Sequence, residues 1–259
     1  FFEREAGKIL VDFATPGWMT LTEDLRSNAA NSFTKRCFDI FASLVLLTGT
    51  WPLMLVTGLA IWFEDGFKAP VLFSQERVGL GGKAFRVLKF RSMSVDAEGD
   101  GKARWATVND SRITRVGAFI RRTRIDELPQ IFNVLAGEMS FIGPRPERPE
   151  FVKQLAEQIP YYNSRHAVKP GITGWAQLCY PYGASEDDAR QKLQFDLYYV
   201  KNQSLFLDFM VTLSTVEVVV DGEPQRAVGD LKVARAVQAG EAAVADDEGG
   251  VHGGPLGGG

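Results

Sequence analysis

The sequence predicts an α+β fold that is rich in helix and tied to a membrane, and three observations carry that expectation. Ile40–Phe63, IFASLVLLTGTWPLMLVTGLAIWF, contains no charged residue. Pro70–Arg91 reads as two strand-like runs joined by a glycine-rich turn. The other periodic segments, as far as Val220, have helical spacing.

Residues 1–34 read as a linker or the end of an upstream region, and a start at Phe1 rather than Met reads as a piece of a longer protein. Lys35 and Arg36 stand directly before the apolar run, and Glu64 and Asp65 close it. At ~1.5 Å per residue a straight helix of that length covers roughly 36 Å, enough for a hydrocarbon core of ~30 Å. Pro52 sits at its middle, so the run either crosses, bends and returns, or hides in a core.

Pro70–Arg77 and Ala84–Arg91 alternate as strands, and GLGG between them makes a β-hairpin. GLGGK is not a phosphate-binding P-loop, because no Ser or Thr follows Lys83 and a strand follows instead of a helix. Ser111–Arg122 predicts an amphipathic helix with Ile113, Val116 and Ile120 on one face. Glu127–Ala136 predicts another, closed by Gly137. GPRPERP, Gly143–Pro149, predicts a stiff extended loop. Glu150–Gln158 and Glu186–Val200 read as helices, with a turn-rich Val168–Gln177 between them. Ser204–Val220 is strongly apolar but carries Asp208 and Glu217. Residues 223–259 are rich in Gly, Ala and acidic residues without aromatics, the composition of a disordered tail.

The formal net charge of −3 weighs against a general nucleic-acid binder. The mean hides an asymmetry, since Lys and Arg outnumber Asp and Glu between Val71 and Gln130. A local basic field suits phosphate-rich ligands or anionic lipid. Cys37 and Cys179 are the only cysteines, which excludes a disulfide framework or zinc spacing and makes a reducing compartment the default.

Thr123–Gln130, TRIDELPQ, sets two carboxylates side by side within the basic region. If a helix starts here, Asp126 is its N-cap and Pro129 falls in the first turn. The helix N-terminus favours anions, and nearby guanidinium groups are expected to keep the carboxylate ionised and lower its pKa. Such a carboxylate can attack phosphorus or ligate Mg²⁺. Taken alone, the pair is equally ordinary capping chemistry. Arg145 is equally a solvated loop charge, and Lys89 and Arg91 an exposed strand face. Asp196 can be a surface helix position, and the lone His166 reads as structural.

The combination is more specific. KRCFDI (35–40), FSQERVGLGGKAFRVLKFRSM (73–93), TRVGAFIRRTRIDELPQIFNVLAGEMSFIGPRPERPEF (114–151), RHAVKPGITGWAQ (165–177) and FDLYYVKNQS (195–204) occur in this order. The chain resembles the bacterial sugar transferase family, the monotopic polyprenyl-phosphate phosphoglycosyl transferases, over about Lys35 to Gly222. Residues 1–34 resemble the junction ahead of the catalytic module in its larger members. Where the family often has Ser beside the helix-breaking Pro, this chain has Thr50, with Trp51 between. Gln203 stands where an aromatic is common, and Phe195 where Tyr is frequent.

The resemblance implies a helix-rich monotopic catalytic domain with a re-entrant membrane helix over about 37–63, broken at Thr50 and Pro52. It implies transfer of a sugar-1-phosphate from a nucleotide sugar, usually UDP-linked, to polyprenyl phosphate, which initiates exopolysaccharide or other glycoconjugate synthesis. Asp126 is the implied nucleophile, assisted by Glu127, and both are implied Mg²⁺ ligands. Lys89, Arg91, Arg121 and Arg145 are implied phosphate clamps, and Asp196 supports the nucleotide or metal. Ser204–Val220 is expected to lie at the membrane interface with Asp208 facing out. The implied location is the bacterial cytoplasmic membrane, with the catalytic domain on its cytoplasmic face. Membrane lipid and a homodimer are further implied partners. A non-catalytic nucleotide-sugar-binding scaffold and a phosphatase with the same acidic nucleophile are the alternatives.

Overall fold

A computed structural model describes residues 7–9, 29–95, 97, 110–180 and 185–221. The tail expected over 223–259 lies outside the described residues, as does most of the segment read as a linker. The architecture is α+β and mostly helical. In chain order it runs α1 (Ala29–Glu64), β1 (Leu72–Val78), β2 (Ala84–Phe90), α2 (Arg115–Arg122), α3 (Gln130–Ala136), β3 (Ser140–Ile142), α4 (Pro149–Gln158), β4 (Gly171–Thr173), α5 (Trp175–Cys179), α6 (Glu186–Lys201) and α7 (Leu205–Asp221).

The hairpin forms as its alternation predicts, with β1 and β2 antiparallel and Val78 opposite Ala84 at the turn end. Turn-rich Val168–Gln177 holds more order than its composition indicates. β4 pairs in parallel with β3, Ser140 opposite Gly171 and Ile142 opposite Thr173. The backbones pass so closely that a Cβ on Gly171 would lie 2.2 Å from the Gly143 nitrogen, so only glycine fits. The main core gathers Trp175, Tyr199, Leu193, Leu197, Ile142 and Ile159 with Leu207 and Val211 of α7. Residues 7–9 belong to it as well. Ile9 is buried and its amide donates to the Gln194 carbonyl at 3.0 Å, while Trp175 Nε1 donates to the Gly7 carbonyl at 2.7 Å.

Helix α1 begins at Ala29, ahead of the charge-free run, and is the one described helix long and apolar enough to cross a membrane. Asp39, Ser43, Thr57 and Ile61 are buried and fall on one stripe at ~100° per residue. Leu44, Val45, Trp51, Leu55 and Val56 are exposed. The expected break at Pro52 is a correction: the helix continues through it. Proline removes only one N–H from the ladder, and the helix resumes beyond it. Nor does Thr50 serve the carbonyl that Pro52 leaves free, which is that of Thr48. Its hydroxyl donates to Leu46 at 2.7 Å, and that of Thr48 to Leu44 at 2.8 Å. Such back-bonding bends helices. Pro52 lies opposite the buried stripe, so a bend there closes toward the protein.

Both ends of α1 are fastened to the same body. Near its start, Arg36 donates to the Val134 and Leu135 carbonyls at 2.5 and 2.7 Å, closing the C-terminus of α3. Asp39 accepts from Ser140 Oγ at 2.9 Å and from the Phe141 amide at 3.1 Å. At its end, Glu64 accepts from the Arg115 and Val116 amides at 2.8 and 3.1 Å, capping α2, and Asp65 pairs with Arg91.

Asp208 corrects a second expectation. It faces inward, 1% exposed, where it takes Lys35 Nζ at 2.5 Å and the Tyr199 hydroxyl at 2.6 Å. Lys35 supplies the charge that makes burial tolerable. The outward face of α7 is apolar instead, with Leu205, Phe206, Phe209, Leu213 and Val216 exposed. An apolar helix face turned to solvent marks a membrane or partner contact.

Candidate active site

The two carboxylates do not begin a helix as the capping reading expects. Arg124 adopts the left-handed conformation, φ 58°, and turns the chain into a 3-10 turn over Ile125–Glu127. Helix α3 starts only at Gln130, with Pro129 before it, so the Asp126 side chain caps nothing. Both carboxylates are buried, each 8% exposed.

Strand β2 brings Lys89 to them. Asn133 of α3 fixes the register: its Oδ1 accepts from the Leu88 amide at 3.0 Å, and its Nδ2 donates to the Arg86 carbonyl at 2.8 Å. Lys89 Nζ then donates to Glu127 Oε1 at 3.0 Å. Arg145 donates to the same oxygen at 2.8 Å. Four hydrogen bonds from three elements hold the loop that carries Arg145. The Pro144 carbonyl accepts from the Gly171 amide at 3.0 Å, that of Arg145 from Arg165 at 2.9 Å, that of Pro146 from Arg77 at 3.2 Å and that of Glu147 from the Val78 amide at 2.9 Å. With prolines on both sides of Arg145, the loop has little freedom left.

Burial alone would push the Glu127 carboxyl up, but the cations Arg145 and Lys89, by charge and by hydrogen bond, hold it far below the usual range. Lys89 lies below its ordinary value, first through burial and then through neighbouring Arg145. Asp126 reverses the expectation. Burial, and then the charge of Glu127, push it up against the opposing pull of Lys89, Arg121 and Arg124. Its Oδ1 is buried with no hydrogen-bond partner. Adjacent carboxylates therefore differ in kind. Glu127 is a fixed anion clamped by cations, whereas Asp126 is the more basic group and carries an oxygen with nothing to bind.

That oxygen also bears on metal binding. Among the described residues no group of three or more His, Cys, Asp or Glu could cage an ion. Mg²⁺ is characteristically held by one or two carboxylates with substrate phosphates and water, and a buried, unpartnered Asp126 oxygen beside Glu127 fits that donor set.

The remaining candidates are placed differently. Arg121 sits on α2 within electrostatic reach of Asp126. Arg91 is buried and paired with Asp65 at the end of α1, with Nε and Nη1 left without partners. Asp196 lies behind the loop rather than beside the carboxylates, 2% exposed and 2.7 Å from Arg165. Burial, and then Arg165, push His166 down to about 4, so its ring is neutral near pH 7. Sequence reasoning passed over Asn133, Tyr162 and Arg165. Asn133 alone carries a local signal, an amide within the apolar run IFNVLA; Tyr162 and Arg165 stand in the polar stretch YYNSRH and carry none.

The arrangement pairs a basic carboxylate with a cation-clamped anion, on a body whose neighbouring helices expose apolar faces. Residues 30–222 match the family pattern described as bacterial sugar transferase. The chain belongs to the bacterial sugar transferase family. It is 49% identical over 191 residues to a UDP-N-acetylgalactosamine-undecaprenyl-phosphate N-acetylgalactosaminephosphotransferase of Aeromonas hydrophila, covering 74% of this chain and 44% of that protein. A UDP-glucose:undecaprenyl-phosphate glucose-1-phosphate transferase of Escherichia coli (strain K12) is 40% identical over 195 residues, 74% of this chain and 41% of that protein. An exopolysaccharide production protein PSS of Rhizobium leguminosarum bv. phaseoli is 42% identical over 190 residues, 70% of this chain and 92% of that protein. The chain thus spans less than half the length of the larger relatives it matches and nearly all of the shorter one.

Proposed function

We propose that this chain transfers a sugar-1-phosphate from a nucleotide diphosphate sugar, UDP-linked as in the names of several relatives, to a polyprenyl phosphate, and so begins the assembly of a polysaccharide or other glycoconjugate. The observation that carries the reading is Asp126, a buried carboxylate with an unpartnered oxygen beside a Glu127 already committed to Lys89 and Arg145. An Asp126 oxygen attacks the sugar-bearing phosphorus. The bridging P–O bond breaks and the nucleoside monophosphate leaves. An oxygen of polyprenyl phosphate then attacks the same phosphorus, freeing the Asp126 carboxylate and forming the polyprenyl-diphosphate sugar. Lys89, Arg145 and Arg121 offset the charge that develops on the phosphate oxygens. Mg²⁺ held by Asp126, Glu127 and the diphosphate would neutralise charge and improve the leaving group.

The acceptor is a lipid, so its phosphate must meet Asp126 at headgroup depth. Helix α1 supports a re-entrant placement. Arg36 and Glu64 are separated by about 42 Å of helix at ~1.5 Å per residue, yet both bind the same folded body. A spanning helix would set those contacts on opposite sides of the bilayer. The catalytic body then lies on the cytoplasmic face of the bacterial inner membrane, with α7 in the interface. Cysteines placed at Phe33 and at Lys68 are expected to react with an impermeant reagent from the cytoplasmic side alone. Labelling of the two from opposite sides overturns the topology.

Radiolabelled UDP-sugar incubated with polyprenyl phosphate, Mg²⁺ and the protein is expected to yield a lipid-extractable labelled product and one UMP for each. Free sugar phosphate without lipid product would identify a phosphatase, and binding with neither product a scaffold.

A further inference from the structure

Asp196 and Arg165 form an ion pair, 2% and 6% exposed respectively, that lies behind the carboxylate centre. A buried ion pair is a weak source of stability, because desolvation offsets its attraction, so its value lies in what it orients. Arg165 binds Asp196 Oδ2 at 2.7 Å, the Tyr162 hydroxyl at 2.9 Å and the Arg145 backbone carbonyl at 2.9 Å. The Arg145 side chain in turn donates to Glu127.

We propose that Asp196 and Arg165 are positioning residues that act through the Arg145 carbonyl to hold the Arg145 side chain against Glu127 and the incoming diphosphate. The diphosphate part rests on the transfer reading above. Arg165 cannot shed its charge, and a guanidinium buried this deeply needs a counter-ion to hold one orientation. Asp196 supplies the counter-ion and Tyr162 fixes the second arm. The nitrogen that meets Asp196, Nη2, also donates to the one loop carbonyl that belongs to the phosphate-facing arginine. Neighbouring carbonyls in the loop are held from β1 and β4, so losing this contact frees Arg145 without releasing the whole loop.

Removing one charge alone would strand the other, so the test neutralises both, as Arg165→Gln with Asp196→Asn in the full chain. Glutamine is too short to reach the Arg145 carbonyl. For nucleotide sugar, kcat/KM is expected to fall by roughly 10–100-fold, the scale of one charge-assisted hydrogen bond. In an Arg145→Ala background the same pair is expected to cost less than about 2-fold, because residues acting only through Arg145 are non-additive with it. Hydrogen exchange at the Arg145 and Glu147 amides is expected to rise while that of α6 stays unchanged. A merely structural role predicts additive losses and general loosening, and that result, or wild-type kcat/KM, overturns the proposal. Tyr162→Phe removes a single hydroxyl and decides the matter if the neutralised pair does not fold. It is expected to lose roughly 2–10-fold, again non-additively with Arg145→Ala; full activity or additivity overturns the proposal. If the unmodified protein transfers no sugar phosphate but the exchange pattern appears, the transfer reading fails and the positioning stands.

Discussion

Asp126→Asn is expected to abolish sugar-phosphate transfer, by on the order of 10⁴-fold or more, and at the same time to make the protein slightly more stable. An amide of the same shape cannot form the bond to phosphorus. Lys89, Arg145 and Glu127 do not depend on Asp126 for their contacts, so nucleotide-sugar binding survives. The stability change follows from the raised pKa of Asp126. A group held more tightly protonated in the folded state lowers stability as pH rises from its unfolded to its folded pKa, and that deficit is full above the folded value. At pH 7 a neutral amide removes it. Thermal unfolding in detergent is expected to show Tm rising by about 1–3 °C. Turnover near the wild-type rate sinks the nucleophile assignment. A fall in Tm would mean that the carboxylate is a structural support. The same raised pKa predicts that wild-type kcat/KM declines on acidification at a higher pH than a solvent-exposed aspartate would give.

The contrast between these neighbours explains which parts of the protein were legible in its sequence. Both carboxylates are visible as a pair, and the hairpin and the long apolar helix follow from alternation and from lack of charge. What is not legible depends on burial and on distant partners. Flanking arginines predict a depressed Asp126, but the desolvation and the charge of Glu127 that outweigh them come from the packed state. The sequence points Asp208 outward, because an acidic residue in an apolar segment ordinarily seeks water. Its cation, Lys35, lies 173 residues away. Asp196 looked like a helix surface position for the same reason, with Arg165 hidden in a short 3-10 stretch. β3 and β4 are only three residues each, too short for any period, and their pairing depends on glycines that let two backbones touch.

Glu127→Gln is expected to produce the opposite change in stability. Its carboxylate is the shared anion of Lys89 and Arg145, and the amide leaves two cations facing each other across a mostly buried gap. Breaking such a cluster costs about 3–5 kcal/mol when fully buried. Here the Arg145 side chain is 33% exposed, which screens part of the repulsion and brings the expected loss to about 2–3 kcal/mol. Glu127 has a folded pKa below its unfolded value of ~4.3, so its contribution is complete above that value and disappears as pH falls through the folded pKa. The stability curves of wild type and Glu127→Gln are therefore expected to lie apart at pH 7 and to converge under acid; a constant gap down to pH ~2 contradicts the clamp. Transfer is expected to fall by roughly 10²–10³-fold. The residual activity carries a further signature. The Glu127 charge is one of the two causes that raise Asp126, so its removal lowers the pKa of the nucleophile. The acid limb of the remaining activity is then expected to move to lower pH than in wild type. An unmoved limb would mean that the two carboxylates do not sense each other, and the division of roles between them would fail.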